Sequence, residues 1–277
     1  MGLRICSETI GFDCIAPGAS IAWLRHRNMR IVSLPHAEIR ILPDGAVLSR
    51  TAANEFLRAA IEKHGRFTVA LSGGSTPKAI FGLLAADEAA GRNKLPWDEV
   101  QIFFGDERHV PPDHPDSNYR MANAALLSKV PIPPANVHRV HAELDAARSA
   151  VEYESELRSV FGSRTGEIPR FDLIMLGMGP DGHTASLFPG STALHERAAL
   201  VAATWVEKFK SHRITFTYPL LNAAAEILFV AGGADKADML RNVLRGDPSG
   251  QTYPAADVRP ASGRLLWLVD EAAASRL

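Results

Sequence analysis

The run Gly177-Met178-Gly179-Pro180-Asp181-Gly182-His183-Thr184 places a histidine two positions beyond an aspartate, at the end of an apolar stretch. Histidine titrates near neutrality, so it can take a proton from water and return it to a leaving group. A carboxylate beside it fixes the tautomer and supports the imidazolium form. Of the ten histidines, His26, His64, His114, His138, His141, His195 and His212 have no such setting and are expected at the surface or in packing. His109, near a second polar loop, is a weaker candidate. His183 with Asp181 is therefore the leading acid–base pair, and the alternative is a structural histidine with satisfied hydrogen bonds.

Two further loops carry polar groups at the ends of apolar runs. In Ser72-Gly73-Gly74-Ser75-Thr76-Pro77-Lys78 the glycines let the backbone approach a ligand. Thr76 is expected to cap a helix that Pro77 begins. Free N–H groups and the positive end of the helix dipole then make a phosphate seat. A tight strand-to-helix turn uses the same residues, and the spacing is not that of a Walker A loop. In Gly105-Asp106-Glu107-Arg108, three charges follow the apolar Ile102, Phe103 and Phe104, a costly arrangement unless they reach solvent or a ligand. Arg108 offers a planar fork for phosphate or carboxylate, or an ion pair with Glu107 or Asp106. Asp116-Ser117-Asn118-Tyr119 reads as a helix cap. No HExxH or paired CxxC supplies a zinc site, and no GxSxG elbow supplies a serine nucleophile. Metal-independent chemistry is expected.

The elements that must hold these loops alternate. Strands are expected at HAEIRIL (36–42), FTVALS (67–72), VQIFFGD (100–106), FDLIMLGMG (171–179) and GRLLWLVD (263–270), with further candidates at ALVAATWV, RITFTY and EILFVAGG. Helices are expected from Asp44 to about Lys63, from Thr76–Pro77, from Ser117 to about Leu127, and from about Ala142 to Phe161. Strands separated by helices predict an α/β, Rossmann-like, three-layer fold, a mostly parallel sheet with helices on both faces. In such sheets ligands bind where loops leave the carboxyl ends of strands. All three polar loops stand there.

The chain has 277 residues, 46% hydrophobic and 22% charged, with a formal net charge of -1. That composition suits an ordinary globular core and gives no field for nucleic acid or a membrane surface. Basic residues are expected to act as individual ligands. No stretch approaches the ~20 apolar residues of a membrane span. Cys6 and Cys14 read as free thiols of a cytoplasmic protein. Residues 1–30 read as an extension, possible disorder included, with Met29 an alternative start; residues 31–277 read as one α/β domain. The sequence sets no oligomeric state.

Taken together, LSGGSTPKAIF, FFGDERHVPPDHPDSNYRMA and DLIMLGMGPDGHTASLFPG, extended by RITFTYPLLNAA and LFVAGGADKADML, resemble the 6-phosphogluconolactonase branch of the glucosamine-6-phosphate isomerase/6-phosphogluconolactonase superfamily. The resemblance spans roughly residues 36–270. It implies hydrolysis of 6-phosphoglucono-δ-lactone to 6-phosphogluconate in the oxidative pentose phosphate pathway, a small sugar-phosphate lactone as partner, and no cofactor. By motif, His183 and Asp181 take the catalytic positions. Ser72, Gly73 and Gly74 fall in the phosphate loop, and Asp106 and Arg108 in the substrate-contacting GDER segment. Arg213 and Lys236 match phosphate ligands from later strands. The approach to Arg213 departs from the family's proline-rich pattern, reading EKFKSHR, so Lys208 or Lys210 is an alternative for its role. The isomerase branch, with its deaminase chemistry, usually follows the Asp-Gly-His core with Asn-Glu-Pro; here Phe188 stands where that glutamate would be. A non-catalytic sugar-phosphate sensor would need a helix-turn-helix, for which the N-terminal stretch has no convincing helix pair.

Overall fold

A computed structural model of the chain describes residues 29–86, 95–164 and 166–277. The expected extension, with both cysteines, lies outside the described residues apart from Met29 and Arg30. The described residues form ten strands: β1 (Arg30–Leu34), β2 (Ala37–Leu42), β3 (Phe67–Leu71), β4 (Val100–Phe104), β5 (Asp106–Arg108), β6 (Leu173–Leu176), β7 (Val201–Val206), β8 (Ser211–Phe216), β9 (Glu226–Ala231) and β10 (Arg264–Asp270). The helices are α1 (Gly45–Glu62), α2 (Ser75–Ala86), α3 (Asn118–Ala125), α4 (Ala146–Phe161), the short α5 (Tyr218–Leu221) and α6 (Ala237–Arg245).

Seven strands build the central sheet in the order β1-β2-β10-β9-β6-β3-β4. Every neighbouring pair is parallel except the β1–β2 hairpin. Strands buried on both faces must be apolar throughout, and β3, β6 and β9 are buried at every position. Alternation then divides the core. Ala70, Phe103, Ile174, Phe229 and Trp267 face one way, toward Tyr153 and Leu157 of α4, Ile214 and Phe216 of β8, and Leu240 of α6. Val69, Leu71, Ile102, Phe104, Met175 and Leu228 face the other way, toward Leu48 and Phe56 of α1, Ile80 and Phe81 of α2, and Ala122 of α3. This is the mostly parallel, helix-flanked α/β architecture expected from the sequence.

Two of the strand candidates belong elsewhere. β7 and β8 join β5 in a separate antiparallel sheet of order β5-β8-β7. The four residues between β7 and β8 allow a hairpin but no parallel crossover, which takes a dozen residues or more. The central sheet and this second sheet share one chain segment. Gly105, between β4 and β5, donates to Leu71 O in the first sheet (2.9 Å) and accepts from Phe216 N in the second (2.8 Å).

Helix starts follow their caps. The Asp44 side chain accepts from the backbone N–H groups of Ala46 and Val47, and Ser117 caps α3 through Arg120 N–H. α4 begins at Ala146 rather than near Ala142, because the Asp145 carboxylate accepts from Ala147 and Arg148. α2 begins at Ser75, earlier than expected. Its first helical bond runs from Lys78 N–H to Gly74 O (3.1 Å), so Thr76 lies inside the first turn and is not the cap. Gly74 takes φ of 110°, which a side chain would oppose, and so the glycine is required there.

Candidate active site

Loops leaving β3, β4 and β6 meet at the carboxyl end of the central sheet and enclose a cavity of about 230 Å³. Ser72, Gly73 and Gly74 line it from the first loop, Asp106 and Arg108 from the second. Gly177, Met178, Gly179, His183 and Ala185 line it from the third. Six of the expected site residues are thus brought to one space from three separate segments of the sequence.

The His183 ring borders this cavity while its Nδ1 is hydrogen-bonded to Asp181 Oδ1. With Nδ1 engaged, Nε2 is the ring nitrogen left for proton transfer. Partial burial alone would raise the Asp181 carboxyl, but the hydrogen bond and charge of His183 outweigh it and hold the group at about 2. Lys208 Nζ adds a cation 3.7 Å from Asp181 Oδ2. The loop must bring the imidazole against its own backbone: a Cβ on Gly179 would lie 2.0 Å from His183 Nδ1. On its other side the imidazole stacks on Phe188, with centroids 4.0 Å apart and planes 25° apart. The loop rests on the chain's later segments, since Gly182 O accepts from Ala255 N–H (2.9 Å) and a Cβ on Gly182 would strike Tyr253.

The second loop is organised by its buried carboxylates. Glu107 is 2% exposed and accepts from the N–H groups of Arg108, Asn118 and Tyr119 and from Ser117 Oγ. It therefore ties β5 to the start of α3, where free N–H groups and the dipole favour an anion. Burial nevertheless pushes its carboxyl above the ordinary glutamate range. The Arg108 guanidinium turns instead to Asp116 O, at 2.7 Å. Asp106 accepts from Ser186 Oγ (2.7 Å) and Asn118 Nδ2 (3.3 Å). Gly73 approaches the same asparagine so closely that a Cβ there would lie 1.9 Å from Asn118 Oδ1. Asn118 and Ser186 were not singled out in the sequence. Asn118 was hidden in a cap motif, and Ser186 lies 80 residues from the carboxylate it serves.

The remaining expected residues lie outside the cavity lining. Arg213 is the register partner of Arg108 across β5 and β8. Burial and the charge of Arg108 lower the Arg213 pKa from its ordinary value. Lys236, in the turn after β9, pairs with Asp235. Of the two lysines offered as alternatives to Arg213, Lys208 turns to Asp181 and Lys210 pairs with Glu207. His109 meets Leu144 O through Nε2 (2.7 Å). His138 is buried between Glu156 and Gln101, so both are held in structural contacts.

Among the described residues no group of three or more His, Cys, Asp or Glu side chains is placed to hold a metal ion. Nor is any described helix long and apolar enough to cross a membrane.

Residues 44–267 match the family model described as glucosamine-6-phosphate isomerases/6-phosphogluconolactonase. The chain is 45% identical over 243 residues to 6-phosphogluconolactonase of a Nostoc species, covering 86% of this chain and 98% of that protein. It is 41% identical over 236 residues to the human 6-phosphogluconolactonase, covering 84% and 89%. The structure of 6-phosphogluconolactonase from Trypanosoma cruzi superposes with a TM-score of 0.78 at 30% identity, over 88% of this chain and 99% of that one. With more than three-quarters of its length matched, the chain belongs to the glucosamine-6-phosphate isomerase/6-phosphogluconolactonase family.

Proposed function

We infer that the protein is a hydrolase that opens 6-phosphoglucono-δ-lactone to 6-phosphogluconate, the lactone-opening step of the oxidative pentose phosphate pathway. The observation that carries this reading is His183, bound through Nδ1 to an ionised Asp181 and bordering a cavity shared with Arg108 and the start of α2. The 30–45% identity to lactonases along most of the chain supports the same substrate.

In this mechanism the substrate phosphate docks at the Ser72–Gly74 loop, where the first turn of α2 offers N–H groups and a positive dipole end. Arg213 and Lys236 assist it. His183 Nε2 removes a proton from water as the oxygen attacks the lactone carbonyl, and Asp181 supports the imidazolium that forms. The tetrahedral oxyanion is stabilised by Arg108 or a glycine N–H of the loops. As the C–O bond of the ring breaks, the imidazolium returns its proton to the departing ring oxygen. The product carries a free hydroxyl and a carboxylic acid, which ionises to release a proton.

Position 188 argues against the isomerase chemistry of the family. That chemistry needs a carboxylate to move a proton between carbons. Here a phenylalanine ring stacks on the imidazole instead.

The test is the hydrolysis rate of freshly generated 6-phosphogluconolactone, with and without EDTA, against glucosamine 6-phosphate. Rapid lactone opening unaffected by EDTA and without ammonia release is the expected result. Ammonia release from glucosamine 6-phosphate would move the chain to the isomerase branch.

A further inference from the structure

The hairpin between β7 and β8 ends in Glu207-Lys208-Phe209-Lys210, and its tip presents a large aromatic side chain that is 47% exposed. Lys210 turns the chain at φ of 47°, in the left-handed region that few non-glycine residues adopt. The Phe209 ring meets Phe188 edge to face, with centroids 5.8 Å apart and planes at 73°. Phe188 in turn carries the His183 imidazole at 4.0 Å. Two cations hold the outer ring: Arg213 lies 5.1 Å from its centroid and Lys208 5.6 Å. Lys208 also reaches Asp181, which bonds the imidazole at Nδ1.

Each contact is of a kind that fixes orientation. Edge-to-face and offset-stacked pairs prefer definite geometries and add energy beyond area burial, and cations are drawn to ring faces. Phe188 confines the plane of the imidazole, and Phe209 confines Phe188. Without the outer ring, Phe188 would be free on its open side to tilt, and the imidazole with it.

We propose that Phe209 is a positioning residue for the lactonase reaction, acting through Phe188 to hold the His183 ring in the plane from which Nε2 meets the attacking water. This rests on the lactonase reading of the site. The hairpin tip thereby belongs to the proton-transfer apparatus, although Phe209 itself lines no part of the cavity.

The experiment compares the parent enzyme with Phe209→Ala, Phe209→Leu and Phe209→Tyr, measuring kcat and KM for the lactone and the nitrogen NMR signals of the His183 ring. Phe209 is half exposed, so the variants keep the fold, and the leucine variant retains apolar bulk while losing the ring. Phe209→Ala and Phe209→Leu should lower kcat about 3- to 10-fold, the range that loss of one aromatic contact accounts for. KM should stay within about twofold. The His183 signals should report mixed tautomers in place of one, and Phe209→Tyr should restore both readouts. A parent-like kcat in Phe209→Ala, with His183 signals unaltered, would overturn the proposal. So would a rise in KM alone, which would make the ring a binding contact. Absence of lactonase activity in the parent would instead remove the functional reading on which the proposal stands.

Discussion

Replacing Gly179 by alanine perturbs the acid–base pair with a single methyl group. Gly179 does not have positive φ, so alanine brings no backbone strain there. The new Cβ would lie 2.0 Å from both Cε1 and Nδ1 of His183 and 2.8 Å from Oδ1 of Asp181. Carbon contacts settle near 3.5 Å or beyond, so the imidazole must retreat by about 1.5 Å. Its side chain is 23% exposed and can swing outward, which spares the fold. The stability change is therefore expected to stay within about 1 kcal/mol. Catalysis has no such tolerance, because a misplacement of about 1 Å costs on the order of 10²-fold. Turnover should accordingly fall about 10²-fold or more. The assay is proton release from the freshly generated lactone in a pH-stat, with the spontaneous rate subtracted, alongside thermal melts of both proteins. A variant with parental kcat and a parental melting curve would refute the assignment of proton transfer to His183 in this geometry.

Three other perturbations separate the site from its scaffold. Asp181→Asn keeps the shape but removes the counter-charge of the imidazolium, and a kcat loss of about 10- to 100-fold is expected from rate measurements. Because the parent carboxyl titrates at about 2, Asp181 stays ionised across the working range, and its protonation should not shape the pH–rate profile above about pH 3. Glu55, 2% exposed, bonds Arg40, Arg58 and Arg264 at the far end of the sheet. Glu55→Gln should cost about 2–3 kcal/mol in denaturant unfolding, below the range for a fully buried pair because the arginines are partly exposed. Burial raises the Glu55 carboxyl, yet the arginines lower it further, so its contribution is present above the ordinary glutamate value of 4.5 and lost as pH falls through the lower folded value. The parent should therefore lose more stability on acidification below about pH 4.5 than Glu55→Gln does. Gly82 lies inside α2, with open space for 4 Å around the place a methyl group would take. Its replacement by alanine should gain about 0.5–1 kcal/mol in the same unfolding assay, with lactonase activity unchanged.

The parts of the fold that follow local rules could be read directly. The helix expected to begin at Asp44 does so, with Asp44 as its cap, and the apolar runs that became β3, β4 and β6 are buried as their composition required. The contact between Asp181 and His183 was legible because the two are close in sequence and the loop that holds them is glycine-rich. What escaped depends on contacts that no local pattern encodes. RITFTY and ALVAATWV have the composition of strands, but composition does not say which sheet they join. The role of Glu107 emerged only when α3 was seen to start against it. Lys208 and Lys210 differ by two positions and were indistinguishable until the hairpin tip turned one toward Asp181 and the other toward Glu207.

The two-sheet arrangement has a chemical consequence. The helix N-terminus and the histidine loop issue from parallel strands, whose carboxyl ends all point the same way. Arg108 and Arg213 come from antiparallel strands whose register sets them side by side, a pairing that burial and like charge make unfavourable. An anion placed against both guanidinium groups would relieve that repulsion, whereas an uncharged group would leave it in place. On the proposed reading of the site, that repulsion favours a phosphorylated substrate over an unphosphorylated one. Gly105, which bonds to both sheets, fixes the second against the first and so holds Arg108 beside the loops of the central sheet.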